Sequence, residues 1–290
     1  MSDVQKIYEL IRRSEMNDWV GGSDPEAVGN ACRSILDRYL TINANSRLLD
    51  FGCGIGRVLL SVLNHMPSVS RVTGFDIMPQ VIRFCDANIA TAFPQSSFDL
   101  IQGSNDHYDQ FVLAAGAAVA KTREQVEREY NSSFSGAYAF SVFTHVEMGD
   151  FRSLLKLVKG LLEPGGEFLF TSFLLTSDSR QAIEQRSGLF PFGETAFEAD
   201  GKVFIGNVHD RLGFIAFDMA LVQQMVFDAG LVITHVEHGS WTGSGFSPSL
   251  QDVIVCRRPS ARTGETRHVP TVARPVRTAA AYPFPRAASR

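Results

Sequence analysis

The chain has 290 residues, 44% hydrophobic and 20% charged, which reads as a soluble, globular protein long enough for one full core and an insertion. No apolar run is long enough to span a bilayer, and Met1-Ser2-Asp3-Val4-Gln5-Lys6 lacks a basic and then apolar signal pattern. The net charge of −4 divides into +5 from Pro259 to Arg290 and −9 in the body, which argues against a large nucleic-acid footprint. The four cysteines (Cys32, Cys53, Cys85 and Cys256) are scattered without metal-ligand spacing, as expected of reduced, buried thiols in a cytoplasmic protein.

The elements follow in order. Val4 to about Arg13 reads as a short helix, broken at Trp19-Val20-Gly21-Gly22. Asp24-Pro25-Glu26 signals a helix start: a cap, a proline in the first turn, and an acid near the positive dipole end. Val28, Cys32, Ile35, Leu36, Tyr39 and Leu40 then recur at helical spacing. Arg47 to Phe51 reads as a short buried strand. Gly52-Cys53-Gly54-Ile55-Gly56 opens a loop, and Val58, Leu59, Leu60, Val62 and Leu63 form an apolar helix face.

A strand, a glycine loop and a helix N-terminus suit a nucleotide or nucleoside ligand. A dinucleotide fingerprint would place its third glycine where Arg57 stands. Asp50 precedes the glycines by two residues. A carboxylate there repels a diphosphate and welcomes an ammonium group. Cys53, inside the loop, is expected to pack rather than to act as a catalytic thiol.

Arg71 to Phe75 reads as a second strand ending in Asp76, about twenty residues beyond the glycines, the separation of a carboxylate that accepts from two ribose hydroxyls. Asp76 also fits the cap of a helix that begins at Met78-Pro79-Gln80 and runs to about Ala90. Phe98 to Gln102 is the third strand, with Gly103-Ser104-Asn105-Asp106 at its exit. Residues 111–131 are helical in composition. Ala137 to Val142 is a fourth strand, followed by Phe143-Thr144-His145-Val146.

Phe151, Leu154, Leu155, Val158, Leu161 and Leu162 mark an amphipathic helix. Glu163-Pro164-Gly165-Gly166 stops it with a turn before a fifth strand, Glu167 to Thr171. Ser172 to Phe217 breaks the strand–helix rhythm as a long irregular segment and reads as a substrate cover, its phenylalanines suiting either an apolar, lipid-like or aromatic acceptor or a core. Asp218 to Ala229 is a helix ended by Gly230. Leu231–Val236 and Asp252–Cys256 complete the sheet as a hairpin-like pair, and the Pro-, Ala- and Arg-rich tail 259–290 is expected to be disordered.

The run from Asp50 through Gly52, Gly54 and Gly56 resembles motif I of the class I S-adenosylmethionine-dependent methyltransferases. Ser141 to Val146 and Leu162 to Gly166 resemble the later motifs of the small-molecule members. With Asp76 in order, the match covers roughly two thirds of a domain of typical size. The resemblance implies a Rossmann-like α/β fold with a seven-stranded, mostly parallel sheet and helices on both faces. It implies an N-terminal lead-in or lid (residues 1–45), a cofactor domain (46–258) with residues 172–217 inserted, and the tail. Trp19 is then a lid residue or a packing aromatic.

The resemblance further implies S-adenosylmethionine as cofactor, held by Asp50, Gly52, Cys53, Gly54, Gly56, Asp76 and Ile77. A polar residue from Ser104, Asn105 or Asp106 would reach the adenine amine. The reaction is an in-line displacement onto oxygen or nitrogen of a small-molecule acceptor, catalysed mainly by orientation. Where a base is required, histidine is the residue to seek. His145, after the fourth strand, is the first candidate, as a base or as a helix-entry residue bonded to backbone. His107 and His209 are weaker, and His235 and His238 are structural. The competing classes are a non-catalytic binder of the same cofactor and a nicotinamide-dependent oxidoreductase, the latter opposed by Arg57 and Asp50. No Asn-Pro-Pro-Tyr-like motif follows the fourth strand, which weakens methylation of bases or amides.

Overall fold

The computed structural model describes residues 2–103, 119–243, 247 and 249–260. The chain forms two compact units, one of residues up to Phe140 with Leu161–Glu163, the other of Ser141–Gly160 and the chain from Pro164 onward. Ser104, Asn105, Asp106, His107 and the tail 261–290 lie outside the described residues.

The first unit starts with α1 (Asp3–Arg12), α2 (Met16–Trp19) and α3 (Pro25–Tyr39). It continues as β1 (Arg47–Phe51), α4 (Arg57–His65), β2 (Arg71–Asp76), α5 (Pro79–Cys85), β3 (Ser96–Leu100), α6 (Arg123–Tyr130) and β4 (Phe134–Ala139). β2 and β4 flank β1, β3 lies outside β2, and these pairings are all parallel. Parallel strands joined by helices are covered on both faces, so they read as apolar runs such as Leu48-Leu49.

Asp24 caps α3 as expected, its Oδ1 accepting from the Ala27 N–H at 2.8 Å with Pro25 next in the chain. The buried face of α3 holds Gly29, Ala31, Ile35 and Leu36, so the stripe read from the sequence holds at Ile35 and Leu36, while Gly29 and Ala31 are buried where it named Val28 and Cys32. The reason is the crossing with α4. A Cβ at Gly29 would lie 2.4 Å from the Arg57 carbonyl oxygen, so glycine lets the two backbones close.

Some boundaries move. β3 begins at Ser96 rather than Phe98, and β4 ends at Ala139 rather than Val142. Ser141 takes a left-handed φ of 60°, which an extended strand does not allow. Within the span read as helical, the described helix is Arg123–Tyr130, started by a capping box between Thr122 and Gln125.

The second unit holds most of α7 (Met148–Leu161) and β5 (Leu162–Leu175), then α8 (Ser177–Glu184), β6 (Ala196–Glu198), β7 (Val203–Ile205), β8 (Ile215–Asp218), α9 (Met219–Asp228), β9 (Val232–Glu237) and β10 (Asp252–Arg257). β10 runs antiparallel to β5 and to β9, which is the expected hairpin-like pair.

The sheet corrects two expectations. Glu163-Pro164-Gly165-Gly166 does not stand as a turn before a short strand, because β5 runs unbroken for 14 residues. The Gly165 N–H donates to the Arg258 carbonyl at 2.8 Å and the Arg258 N–H to that of Gly166 at 2.9 Å, so β5 keeps a pairing partner through the glycines. Nor is 172–217 irregular. β8 runs parallel to Phe173–Leu175, and β7 and β6 add antiparallel strands beyond it. These three strands bring the described total to ten, where the resemblance implied seven.

The phenylalanines of this segment are mainly core. Phe173 and Phe214 stack at 4.1 Å, and both join Phe204 and Trp241 in a buried cluster. They therefore give no support to an apolar acceptor. No helix among the described residues is long and apolar enough to cross a membrane.

Candidate functional site

The site is built at the carboxyl ends of β1 and β2, where parallel α/β sheets take their ligands. β1 delivers Asp50, which stands opposite Gly74 of β2 and Tyr138 of β4 in the strand register. The chain then turns through Gly52, Gly54 and Gly56, all left-handed, at φ 78°, 51° and 82°. Gly56 has a double reason to lack a side chain. Its φ is costly for other residues, and a Cβ there would sit 2.4 Å from Ile89 Cδ1.

Four of the five loop amides are already committed. The Gly52 and Cys53 N–H groups both donate to the Phe75 carbonyl, at 2.8 and 2.9 Å. The Gly56 N–H donates to the Cys53 carbonyl at 3.0 Å, and the Gly54 N–H to Asp76 Oδ2 at 2.8 Å. A diphosphate could use these four amides only by breaking these bonds. The loop instead fits a ligand that approaches by shape and charge.

Asp76 closes β2 and holds the loop. Its Oδ1 accepts from the Met78 N–H at 2.9 Å, as the cap reading expects, while its Oδ2 takes the Gly54 N–H of the loop. The Ile77 amide is a third donor. A carboxylate has about four lone-pair sites, so backbone fills most of its acceptor capacity and fixes its position. Burial still pushes its pKa up, against the pull of these amides. Ile77 is half-buried and lies close to the exit of β3, where a Cβ on Gly103 would be 2.8 Å from Ile77 Cγ2.

Asp50 is buried at 3% exposure, and its Oδ2 has no hydrogen-bond partner among the described residues. Burial pushes its pKa up to about 8; the Tyr138 hydroxyl pulls it back, the Asp76 carboxylate adds to the rise, and the Leu59 amide of α4 pulls back again. None of these influences is a cation. The unpartnered oxygen leaves room for a donor from a ligand, and a cationic donor would favour the ionised form of Asp50. An ammonium-bearing nucleoside supplies such a donor, and the residues present fit one.

Cys53 packs, as expected. Its Sγ and that of Cys85 each approach the Gly54 carbonyl at 3.6 Å, and burial followed by the neighbouring Cys85 thiol raises its pKa, which keeps it protonated.

The main residue whose role the sequence hid is Arg57. It is the first residue of α4, and its guanidinium reaches back to the segment after α2. Nη1 donates to the Gly22 carbonyl at 2.7 Å and Nη2 donates to the Val20 carbonyl. The signal was present as the departure from the third-glycine position, without an indication of the partner.

The histidines belong to the second unit or lie outside the described residues, apart from His65. His145 donates Nδ1–H to the Leu212 carbonyl at 2.7 Å, which is the backbone-bonded alternative, and this fixes its ring orientation. His209 pairs with Glu194 at 3.2 Å on an exposed surface. His238 holds buried Asp252 through Nδ1 at 3.1 Å, and that carboxylate also accepts from Trp241 Nε1 and the Leu174 and Gly239 amides. This agrees with a structural His238.

Residues 26–200 match the family model described as methyltransferase domain. Among solved structures, the fold is similar to that of 1,6-didemethyltoxoflavin-N1-methyltransferase from Burkholderia thailandensis, determined with 1,6-didemethyltoxoflavin and S-adenosylhomocysteine bound. The identity is 18%, coverage is 89% of this chain and 86% of that one, and the TM-score is 0.51. It is similar also to PH0226 protein from Pyrococcus horikoshii OT3, at 15% identity, coverage of 83% and 93%, and a TM-score of 0.50. The [4+2]-cyclase SpnF is a third, at 14% identity, coverage of 89% and 97%, and a TM-score of 0.52. At these identities the likeness is one of fold.

Proposed function

This chain belongs to the methyltransferase family whose model spans residues 26–200, and from that premise we propose methyl transfer to an oxygen or nitrogen of a small-molecule acceptor. The methyl donor is S-adenosylmethionine, which supplies an activated methyl group and leaves as a neutral thioether. The observation that carries the reading is the orphaned, buried oxygen of Asp50 beside a loop four of whose amides are bonded within the protein.

In this reading Asp50 faces the ammonium of the donor and Asp76 accepts from the ribose. Gly52, Cys53, Gly54 and Gly56 let the backbone approach the methionine portion, and Ile77 borders the adenine. Ser104 and Asn105 are the adenine-amine residues of this assignment. The chain's contribution to rate is orientation: the loop is pinned at Phe75 and Asp76 and does not have to reorganise when the donor binds. Residues 172–217 are the substrate cover of this assignment.

Calorimetric titration of the full chain with S-adenosylmethionine, S-adenosylhomocysteine and NAD tests the reading. The first two are expected to bind and NAD is not. NAD binding without S-adenosylmethionine binding rejects it.

His145 serves as base when the acceptor is a hydroxyl or a protonated amine. With Nδ1–H given to Leu212, the neutral ring carries its lone pair on Nε2. Once an acceptor is found by homocysteine release, His145→Gln is expected to lower turnover by about a hundredfold and to remove the acid limb of the pH–rate profile, with donor affinity unchanged. An unaltered pH–rate profile would leave His145 as a strut between its own segment and Leu212.

A further inference from the structure

The segment between α2 and α3 lies on the glycine loop, and the contact is close. A Cβ on Gly54 would be 3.1 Å from Val20 Cγ1. The backbone here is unusual: Gly21, Gly22 and Ser23 follow one another in the left-handed region, at φ 94°, 62° and 69°. Ser23 is not a residue that favours such a φ, so the surroundings must hold it there.

Two residues do so. Asn17 is buried; its Nδ2 donates to the Ser23 carbonyl at 2.9 Å and its own carbonyl accepts from Gly22 at 2.8 Å. Arg57 binds from the other side. Its guanidinium donates to the carbonyls of Gly22 and Val20, and reaches Asn17 Oδ1 at 3.5 Å. One planar fork therefore joins three points of the segment to the helix that follows the glycine loop.

We propose that Arg57 is a positioning residue for the methyl donor, which straps residues 17–24 across the glycine loop and keeps Val20 on Gly54. This rests on the assignment of the loop to the donor. Arg57 thus takes the place of the third fingerprint glycine for a reason of its own. A glycine there would leave the strap carbonyls without these guanidinium donors. Strapping is useful because a pre-set cover loses less freedom when the ligand arrives.

The test uses the full chain with Arg57→Ala and Arg57→Lys. Hydrogen exchange without any nucleoside is expected to show faster exchange at residues 20–23 in Arg57→Ala. S-adenosylhomocysteine is expected to bind this variant about tenfold more weakly, the scale of one lost charge-assisted bond. Arg57→Lys, which keeps the charge and loses the fork, should recover part of both effects, as a general loss of stability would not. Wild-type affinity in Arg57→Ala with a loosened strap overturns the positioning role, and unchanged exchange overturns the strap itself. Failure of the wild-type chain to bind S-adenosylhomocysteine would reject the donor assignment instead, and the exchange result would still report on the strap.

Discussion

Asp76→Ala is expected to weaken binding of S-adenosylmethionine on the order of a hundredfold, about 3 kcal/mol. The substitution removes an acceptor for the ribose and releases the Gly54, Met78 and Ile77 amides that the carboxylate holds. Buried amides left without partners add their own desolvation cost, so the glycine loop should loosen as well. Calorimetry measures the affinity, and hydrogen exchange at Gly54 and Met78 measures the loosening. Asp76→Asn keeps one acceptor oxygen and should fall between the two. Faster exchange with undiminished affinity would make Asp76 a cap for loop and helix with no hold on the donor.

Asp50→Asn is expected to do two opposite things: stabilise the ligand-free protein at neutral pH and weaken donor binding. The sign follows from the pKa. Asp50 is raised in the folded chain to about 8, far above its unfolded value. The unfolded chain therefore gives up this proton first. Folding stability from this group declines as pH climbs from the ordinary carboxylate range to about 8, and levels off above it. At pH 7 the penalty is on the order of a few kcal/mol, and asparagine does not bear it. The variant should melt higher, with a flatter dependence on pH.

Binding runs the other way. A cationic ligand favours the ionised Asp50, so wild-type affinity should rise between about pH 6 and pH 8 as a proton is released on binding. The rise ends near pH 8, where the ligand's own amino group, with a pKa of about 8, has lost half its charge. Asp50→Asn should bind weakly and without this rise. Titrations in two buffers of different ionisation enthalpy count the proton. A wild-type affinity that is flat across this range would show that Asp50 is not the group facing the ammonium.

The parts of the site that lie within one stretch of chain are legible in the residues themselves. Asp50, the three glycines and the start of α4 form a strand–loop–helix whose geometry depends on neighbours only a few residues away. Asp76 is legible because a crossover helix places the end of β2 at a set separation from the loop. The end of β4 moved by a few residues because the apolar run continues beyond the point where a single dihedral, that of Ser141, ends pairing.

Other features could not be read along the chain. Tyr138 comes beside Asp50 because β4 pairs with β1 in one register. The same phenylalanines that suggest a lipid-like pocket also suit a core, and Phe173 stacking on Phe214 decides for the core. Residues 172–217 looked irregular because their strands are short, with three or four residues each, too few to establish an alternating pattern.

From sequence alone came the class of fold, the glycine bend after β1, and the expectation of an ammonium rather than a diphosphate beside Asp50. These follow from glycine's dihedral freedom and the sign of one charge, and both are local. Only the folded chain decided that three of the loop amides are committed to Phe75 and Asp76, that Asp50 Oδ2 lacks a partner among the described residues, and that Arg57 reaches Val20 and Gly22. Hydrogen-bond partnership and burial depend on residues that three-dimensional packing brings together, and no spacing along one chain encodes them.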